Sequence, residues 1–419
     1  MPENRHIGRR ALLAGAAAGG LAAVAPQTPA SARARRPARP GRAGPRVVAR
    51  PLANPDGSLP MTLLWYVHAS GRAVGRALGP GGEEVQAAWQ GSRVRRPRAL
   101  HASGSYTLQG VNARGALVGY HYLPDENRTQ AVVWSRGGAP RRVLPGDDYR
   151  AWGTHIDDRG RVLVQTQTEF QADPELPSRG GLYVLRPAGS AAPVRITPPD
   201  PEAVNAAPDA LGNAGHVVAG QVRFMAWSRD PFHWHDGTVT ELSRLTGAYR
   251  PVFGAGVNDR GVVAGSAEGD TGEWRAFVWD GDRLTDFSRF DGGASSVPLD
   301  GRFINARGEV VGRSNATDGP FHWSPADGLT ALPTLPEALY GTEVTALNDR
   351  GDAAGHCYTE EGQRAVYWRG GRVVDLGLPA GAVESEASWL THTGEAWGTA
   401  SFPDPSGGTV TRCYRWTVH

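Results

Sequence analysis

The sequence predicts an all-β fold, a β-propeller of eight four-stranded blades closed by an N-terminal strand, on three observations. An Asn-x-x-Gly turn recurs about every forty-five residues, an apolar run ending in Trp follows it, and a strand near the N-terminus matches one missing from the last copy. The turn is clearest in Gly256-Val257-Asn258-Asp259-Arg260-Gly261-Val262-Val263-Ala264-Gly265, and its glycine falls at 71, 115, 160, 215, 261, 308, 351 and 394. Asn or Asp bonds its own backbone on entry to such a turn and Gly takes the positive φ at its exit, which suits a short hairpin. Residues after the turn, such as Val262-Val263-Ala264, do not alternate, so that strand is expected to be covered on both faces.

The second landmark is an apolar run ending in Trp: Ala131-Val132-Val133-Trp134, Ala276-Phe277-Val278-Trp279, Phe321-His322-Trp323 and Ala365-Val366-Tyr367-Trp368, with Trp89, Trp234 and Trp416 marking three further copies and Leu185 filling the slot in the third. A tight turn and a short strand follow, as in Gly371-Arg372-Val373-Val374-Asp375-Leu376. One copy therefore reads strand, turn, strand, variable loop, strand, turn, strand, and sheets covered by their own repeats at this period are what a propeller supplies. The eighth copy stops at Trp416-Thr417-Val418-His419, where a fourth strand should begin. Residues 46–52 resemble that strand, so they are expected to pair into the last blade and hide its edge.

The N-terminus carries Arg9-Arg10, an Ala/Gly/Leu run from Ala11 to Ala25 and small residues around Ala30-Ser31-Ala32, the pattern of a twin-arginine signal peptide over residues 1–32. The run is short for a membrane span, and no lipid-attachment Cys follows it, so a secreted, extracellular product without a span is expected. Residues 33–45 read as a flexible basic linker, and 46–419 as one propeller domain.

Residues 1–50 hold ten Arg and one acid; subtracting these from 44 basic and 42 acidic residues leaves 34 against 41, or −7 for residues 51–419. An acidic propeller argues against nucleic-acid binding, which draws on clustered positive charge. The chain contains no Lys, which excludes Schiff-base and P-loop chemistry, and no cofactor is expected. Cys357 and Cys413 leave two alternatives open, a disulfide or two buried thiols. Turn carboxylates such as Asp157, Asp158, Asp259 and Asp349 read as structural rather than calcium ligands, because each copy supplies too few oxygens. His233 and His235, on either side of Trp234, read as hydrogen-bonded histidines rather than a zinc site.

The turn element with the Ala-Phe-x-Trp element is similar to the HAF-type extracellular repeat family of secreted bacterial proteins, over nearly all of residues 61–419. That resemblance implies an exported repeat protein and implies no particular chemistry.

Function is sought where copies depart from the repeat, in the loops between second and third strands. Aromatic and polar residues there, Tyr120, His121 and Tyr122 in the second copy, Phe170 in the third, Trp227 and Arg229 in the fourth and Trp274 in the fifth, suggest a rim that binds an extracellular glycan or protein, ring faces stacking on apolar patches. The alternative is a secreted carbohydrate-active hydrolase or lyase drawing paired carboxylates from Asp147, Asp148, Glu169 or Asp230. The expected state is a monomer.

Overall fold

A computed structural model describes residues 45–144, 150–167, 180–186, 192–223, 229–242, 250–251, 256–268, 274–287, 295–297, 302–314 and 319–419. The chain divides into Met1–Gly44 and Pro45–His419, and the second unit carries the fold. The signal and most of the linker lie outside the described residues.

Counted as meanders, the described strands form eight blades. Blade one holds Met61–His68, Arg72–Leu78, Glu84–Gln90 and Arg93–Arg95. Blade two holds Ser105–Val111, Leu117–Leu123, Arg128–Trp134 and Pro140–Arg142, and blade three Arg150–Ile156, Val162–Gln167, Gly180–Leu185 and Val194–Ile196. These two are joined into one sheet by a single parallel contact between Arg150 and Thr129. Blade four holds Ala203–Leu211, Val217–Arg223, Arg229–His235 and Thr238–Glu241. Blade five has a first strand in two pieces, Arg250–Pro251 and Gly256–Val257, then Val263–Glu268, Trp274–Trp279 and Leu284–Asp286. Blade six holds Ser295–Ser296, Val310–Ser314, Gly319–Ser324 and Gly328–Ala331; blade seven holds Tyr340–Leu347, Ala353–Thr359, Gly362–Arg369 and Arg372–Asp375. Blade eight holds Glu384–Leu390, Ala396–Pro403 and Thr409–Val418, and takes Val47–Pro51 as its outermost strand.

The closing strand runs antiparallel to the C-terminal one, from Val47 opposite Val418 to Pro51 opposite Tyr414, with Leu52 N–H donating to the Cys413 carbonyl at 2.9 Å and His419 N–H to the Arg46 carbonyl at 2.9 Å. Leu52 is fully buried beside Met61, Trp397 and Cys413, so the residue after the closing strand, blade eight and blade one share one cluster. The other apolar clusters sit across the remaining blade interfaces, blade one to two around Val74 and Leu108, two to three around Val118 and Val162, three to four around Leu163 and Val217, and so on to seven and eight around Ala346 and Leu390. The core is therefore distributed between blades, which is why each second strand is apolar on both faces.

Two residue choices in the motif follow from close packing. The first strand of most blades bulges six residues before the turn glycine, as between Leu64 and Tyr66, Leu108 and Gly110, or Val344 and Ala346, which brings its backbone against the second strand. A Cβ on Gly355 would lie 1.9 Å from the Glu343 carbonyl oxygen, so the second strand needs glycine there. The terminal Trp of the third strand is buried, and in blades two and seven its indole reaches the segment leading into its own blade: Trp134 Nε1 donates to Arg98 O at 2.6 Å and Trp368 Nε1 to Pro333 O at 2.7 Å. A buried indole removes roughly 200 Å² from water, about 5 kcal/mol of transfer free energy.

Cys357 and Cys413 are buried free thiols, one in the cluster of blades five to seven and the other in that of blades one and eight, so the disulfide alternative is not realised. Burial pushes the Cys357 thiol up to about 11, with the Asp375 and Glu337 carboxylates adding to the rise.

Candidate functional site

In each meander the turns after the first and third strands share one face, and the loops after the second strands share the other with the links between blades. The turn face is occupied by a chain of hydrogen bonds from blade to blade. Asn112 Nδ2 donates to Asp157 O at 2.9 Å, Asn258 Nδ2 to Asn305 O at 3.0 Å, Asn305 Nδ2 to Asn348 O at 3.1 Å, and Asn348 Nδ2 to Thr391 O at 3.2 Å. A second course runs one residue on: Ala113 N–H donates to Asp158 Oδ1, Asn213 N–H to Asp259 Oδ1 and Ala306 N–H to Asp349 Oδ1, all at 2.7–2.9 Å. The turn carboxylates thus bind neighbouring backbone amides. Asp158 also meets His68 Nε2 at 3.2 Å; burial pushes its carboxyl up, but His68 and the Ala113 amide hold it below the usual carboxylate range.

The loop face carries the sequence-derived rim. Asp147, Asp148, Glu169, Phe170 and Trp227 lie outside the described residues. Tyr120, His121 and Tyr122 end the second strand of blade two, Arg229 and Asp230 begin the third strand of blade four opposite Val222 and Gln221, and Trp274 begins the third strand of blade five opposite Glu268. Pairing thus puts them all at the same rim, in three different blades. Trp274 is 37% exposed, whereas Asp230 is half-buried.

Blade two brings the largest set together. Strand alternation leaves Tyr120 and Tyr122 half-buried and turns His121 fully inward. Tyr122 Oη donates to Asn127 Oδ1 at 3.4 Å, and Arg150 Nη2 of blade three donates to the same oxygen at 3.1 Å. Asn127 closes the loop with φ +47°, in the left-handed region that Asn tolerates better than most residues. On the opposite face of the strand, the His101 and His121 rings lie 5.2 Å apart, and His101 Nε2 pairs with Gln130 Oε1 at 3.1 Å. Among the described residues neither ring nitrogen of His121 has a hydrogen-bond partner, and burial, followed by the His101 ring, pushes its pKa down. A buried imidazole without partners is costly unless something fills the gap. The rim of blade two therefore offers two half-exposed phenols and an Asn oxygen held by an Arg, with a buried imidazole on the opposite face of the strand.

His101, Gln130, Asn127 and Arg150 were not among the sequence candidates. His101 belongs to the link between blades, where no repeat position marks it. Arg150 starts the next copy.

A second histidine group occupies the interface of blades four and five on the turn face. His216 Nδ1 and His233 Nε2 are 3.0 Å apart, His235 stacks on His216 with ring centres 3.8 Å apart, and His233 meets the Trp279 ring edge at 5.2 Å. His233 is hydrogen-bonded and nearly buried, as expected for it, and burial with its two histidine neighbours lowers its pKa to about 4. Among the described residues no group of three or more His, Cys, Asp or Glu is arranged to hold a metal ion.

No protein-family model matches the chain, and no curated protein matches it. Solved structures similar to it include puromycin hydrolase, 18% identical with a TM-score of 0.42 over 74% of this chain and 53% of that one. Others are the β-propeller domain of the Trilobed protease from Pyrococcus furiosus, 8% identical with a TM-score of 0.44 over 76% of this chain and 96% of that domain, and the acylaminoacyl peptidase of Pyrococcus horikoshii, 10% identical with a TM-score of 0.44 over 76% and 52%. The chain spans about half the length of the two hydrolases. By its own strand topology the chain is a β-propeller protein.

Proposed function

We propose that the protein is a secreted β-propeller that binds an extracellular glycan or protein through the loop rim of blades two to five, with blade two as its anchor. The reading rests on one observation above others, the half-exposed Tyr120 and Tyr122 phenols side by side on one face of the second strand of blade two, at the loop rim. Half-exposed phenols suit a ligand that brings its own hydroxyl or amide groups to their oxygens, and the ring faces supply apolar contact. The Arg150 guanidinium holds Asn127 in place at the loop tip. Trp274, exposed on the same rim, extends the surface. Export by the twin-arginine route and membership of the HAF-type repeat family belong to the same proposal, the first supported by Arg9-Arg10 and the Ala/Gly/Leu run after it, the second by the repeat resemblance.

The test is binding of the full propeller to an array of extracellular polysaccharides and surface proteins, followed by Tyr122→Ala and Trp274→Ala. Under the proposal both lower affinity about tenfold, near the cost of removing an aromatic anchor from an interface. Unchanged affinity in both variants, for a ligand the parent binds, removes the rim from consideration.

A further inference from the structure

A cavity of about 580 Å³ opens on the turn face between blades three and four, on the side opposite the rim. Its apolar wall is made by Val184, Val194 and Trp234, all at the ends of their strands, and its polar wall by Arg159, Arg161 and Arg186. The three guanidiniums differ in how they are held. Arg161 is matched by the buried Asp157 carboxylate, with Nε 2.5 Å from Oδ2, and gives its remaining donors to the Asn213 and Ala214 carbonyls. Arg159 and Arg186 are both exposed and form no salt bridge among the described residues. Among the described residues one carboxylate faces them, Asp236, whose side chain is 71% exposed and stands 3.7 Å from His235 Nε2.

Charge and shape point the same way. Residues 51–419 carry 34 basic and 41 acidic side chains, yet this cavity is lined by three guanidiniums and, among the described residues, by the single carboxylate of Asp236. Within the cavity Arg161 and Asp157 cancel, and Arg159 and Arg186 together exceed Asp236 by one positive charge. A guanidinium presents paired donors matched to a carboxylate or sulfonate, and with one carboxylate facing Arg159 and Arg186 the pair keeps donors for an anion from solution. Behind the guanidiniums, the valines and the indole exclude a purely hydrophilic ion from most of the volume, because such an ion leaves that apolar surface without contact. The site therefore fits an amphiphilic organic acid, its anionic head on Arg159 and Arg186 and its apolar body against Val184, Val194 and Trp234.

We infer that this cavity is a binding site for a small amphiphilic organic anion, separate from the rim. It does not depend on the rim reading, since none of its residues lies on that face. The indole makes the occupant visible: Trp234 is 6% exposed and lines the wall, so a ligand filling the cavity changes its surroundings.

The experiment titrates the full propeller with 2-naphthoate and, in parallel, with the neutral 2-naphthamide, by calorimetry, at 50 and 500 mM salt. Naphthoate is expected to bind one site per chain, about tenfold more tightly than the amide and more weakly at high salt, as a partly exposed ion pair requires. Arg159→Ala and Arg186→Ala, both surface changes that leave the Asp157 link intact, are each expected to weaken naphthoate about fivefold or more while leaving amide binding unchanged. Trp234→Phe, which keeps a ring in the wall, is expected to weaken both probes. Equal affinity for naphthoate and the amide, naphthoate affinity unmoved in the Arg159→Ala/Arg186→Ala double variant, or no naphthoate binding at all overturns the assignment. So does binding of polyglutamate but not of naphthoate, since that points to an acidic macromolecule on the outer surface rather than an occupant of the cavity.

Discussion

Asp157 and Arg161 together replace the asparagine that ties turn to turn elsewhere in the ring. In blades two, five, six and seven, an Asn amide donates to a carbonyl of the next turn. Asp157 has no proton to donate. Its Oδ1 still accepts the Arg161 amide at 2.7 Å, as an Asn would, while Oδ2 holds the Arg161 guanidinium, which reaches the Asn213 and Ala214 carbonyls in the next blade. The carboxylate is fully buried, and removing one partner of a buried pair costs about 3–5 kcal/mol. Arg161→Ala is therefore expected to lower the unfolding free energy by about that much in guanidinium titration. The Asp157→Asn/Arg161→Val double variant, which copies Asn258 and Val262 of blade five, is expected to recover most of the loss. A single variant that costs less than about 1 kcal/mol would show that the pair does not carry the link.

Acid should weaken the ring. His233 titrates near 4, held down by burial and its histidine neighbours, and His155 also near 4 through burial in the first strand of blade three, both against an ordinary 6.5. A histidine kept neutral in the fold takes up its proton more readily once unfolded, so the unfolded chain binds more protons between about 6.5 and 4. Stability is complete above 6.5 and falls as the pH drops through that window, by up to about 3 kcal/mol for each residue. Thermal melts at pH 7.5, 6, 5 and 4 check the sign, and His233→Phe should flatten the lower part of the curve. A transition temperature that rises on acidification contradicts it.

The repeat landmarks were legible because each answers a local demand. Asn258 and Gly261 make a turn, Trp134 and Trp368 anchor a link, and Arg46 to Leu52 supply the strand the last copy lacks. Side-chain groups at the candidate site were less legible. His101 comes to His121 from a link with no repeat position, and His216 reaches His233 only because the second and third strands lie alongside one another. Sequence also placed His121 with the outward-facing rim residues, whereas strand alternation buries it between two tyrosines. The longest rim loops follow no repeat, so composition alone marked them.

Trp134 and Trp368 make a second class of test. Each indole both fills the core and holds the link into its blade. Trp368→Phe keeps most of the apolar contact and loses the bond to Pro333, and is expected to cost about 1–2 kcal/mol, while Trp368→Ala is expected to cost about 3–5 kcal/mol. Similar costs for the two variants would mean that the hydrogen bond, not the packing, dominates.

Ring closure is tested by truncation. A chain starting at residue 45 keeps the closing strand, and one starting at residue 53 loses it together with Leu52, whose side chain is fully buried. The shorter chain exposes the edge of Thr409–Val418 and opens a cavity beside Trp397, so it is expected to melt well below the longer one and to self-associate at its open edge. Leu52→Ala in the longer chain should cost about 2–5 kcal/mol by itself. Equal melting of the two chains, measured with light scattering alongside, would mean that the strand adds nothing to closure.

Gly355 sits where the bulged first strand of blade seven comes nearest to its neighbour. A Cβ there meets the Glu343 carbonyl oxygen at 1.9 Å, and backbone cannot swing away as a flexible side chain can. Blade three carries Val164 at the equivalent place, and the residue opposite it in the first strand is Gly153. In blade seven the residue opposite is Val344, which is buried, so nothing on the facing strand yields room. Gly355→Ala is therefore expected to force the two strands apart and cost about 2–3 kcal/mol or more, the range for overpacking a filled interior. Gly408→Ala, at a position with nothing within 4 Å and no positive φ, is the matched control and should be close to neutral. If the two substitutions shift the melting temperature equally, the glycine after the turn is kept for some reason other than the approach of these strands.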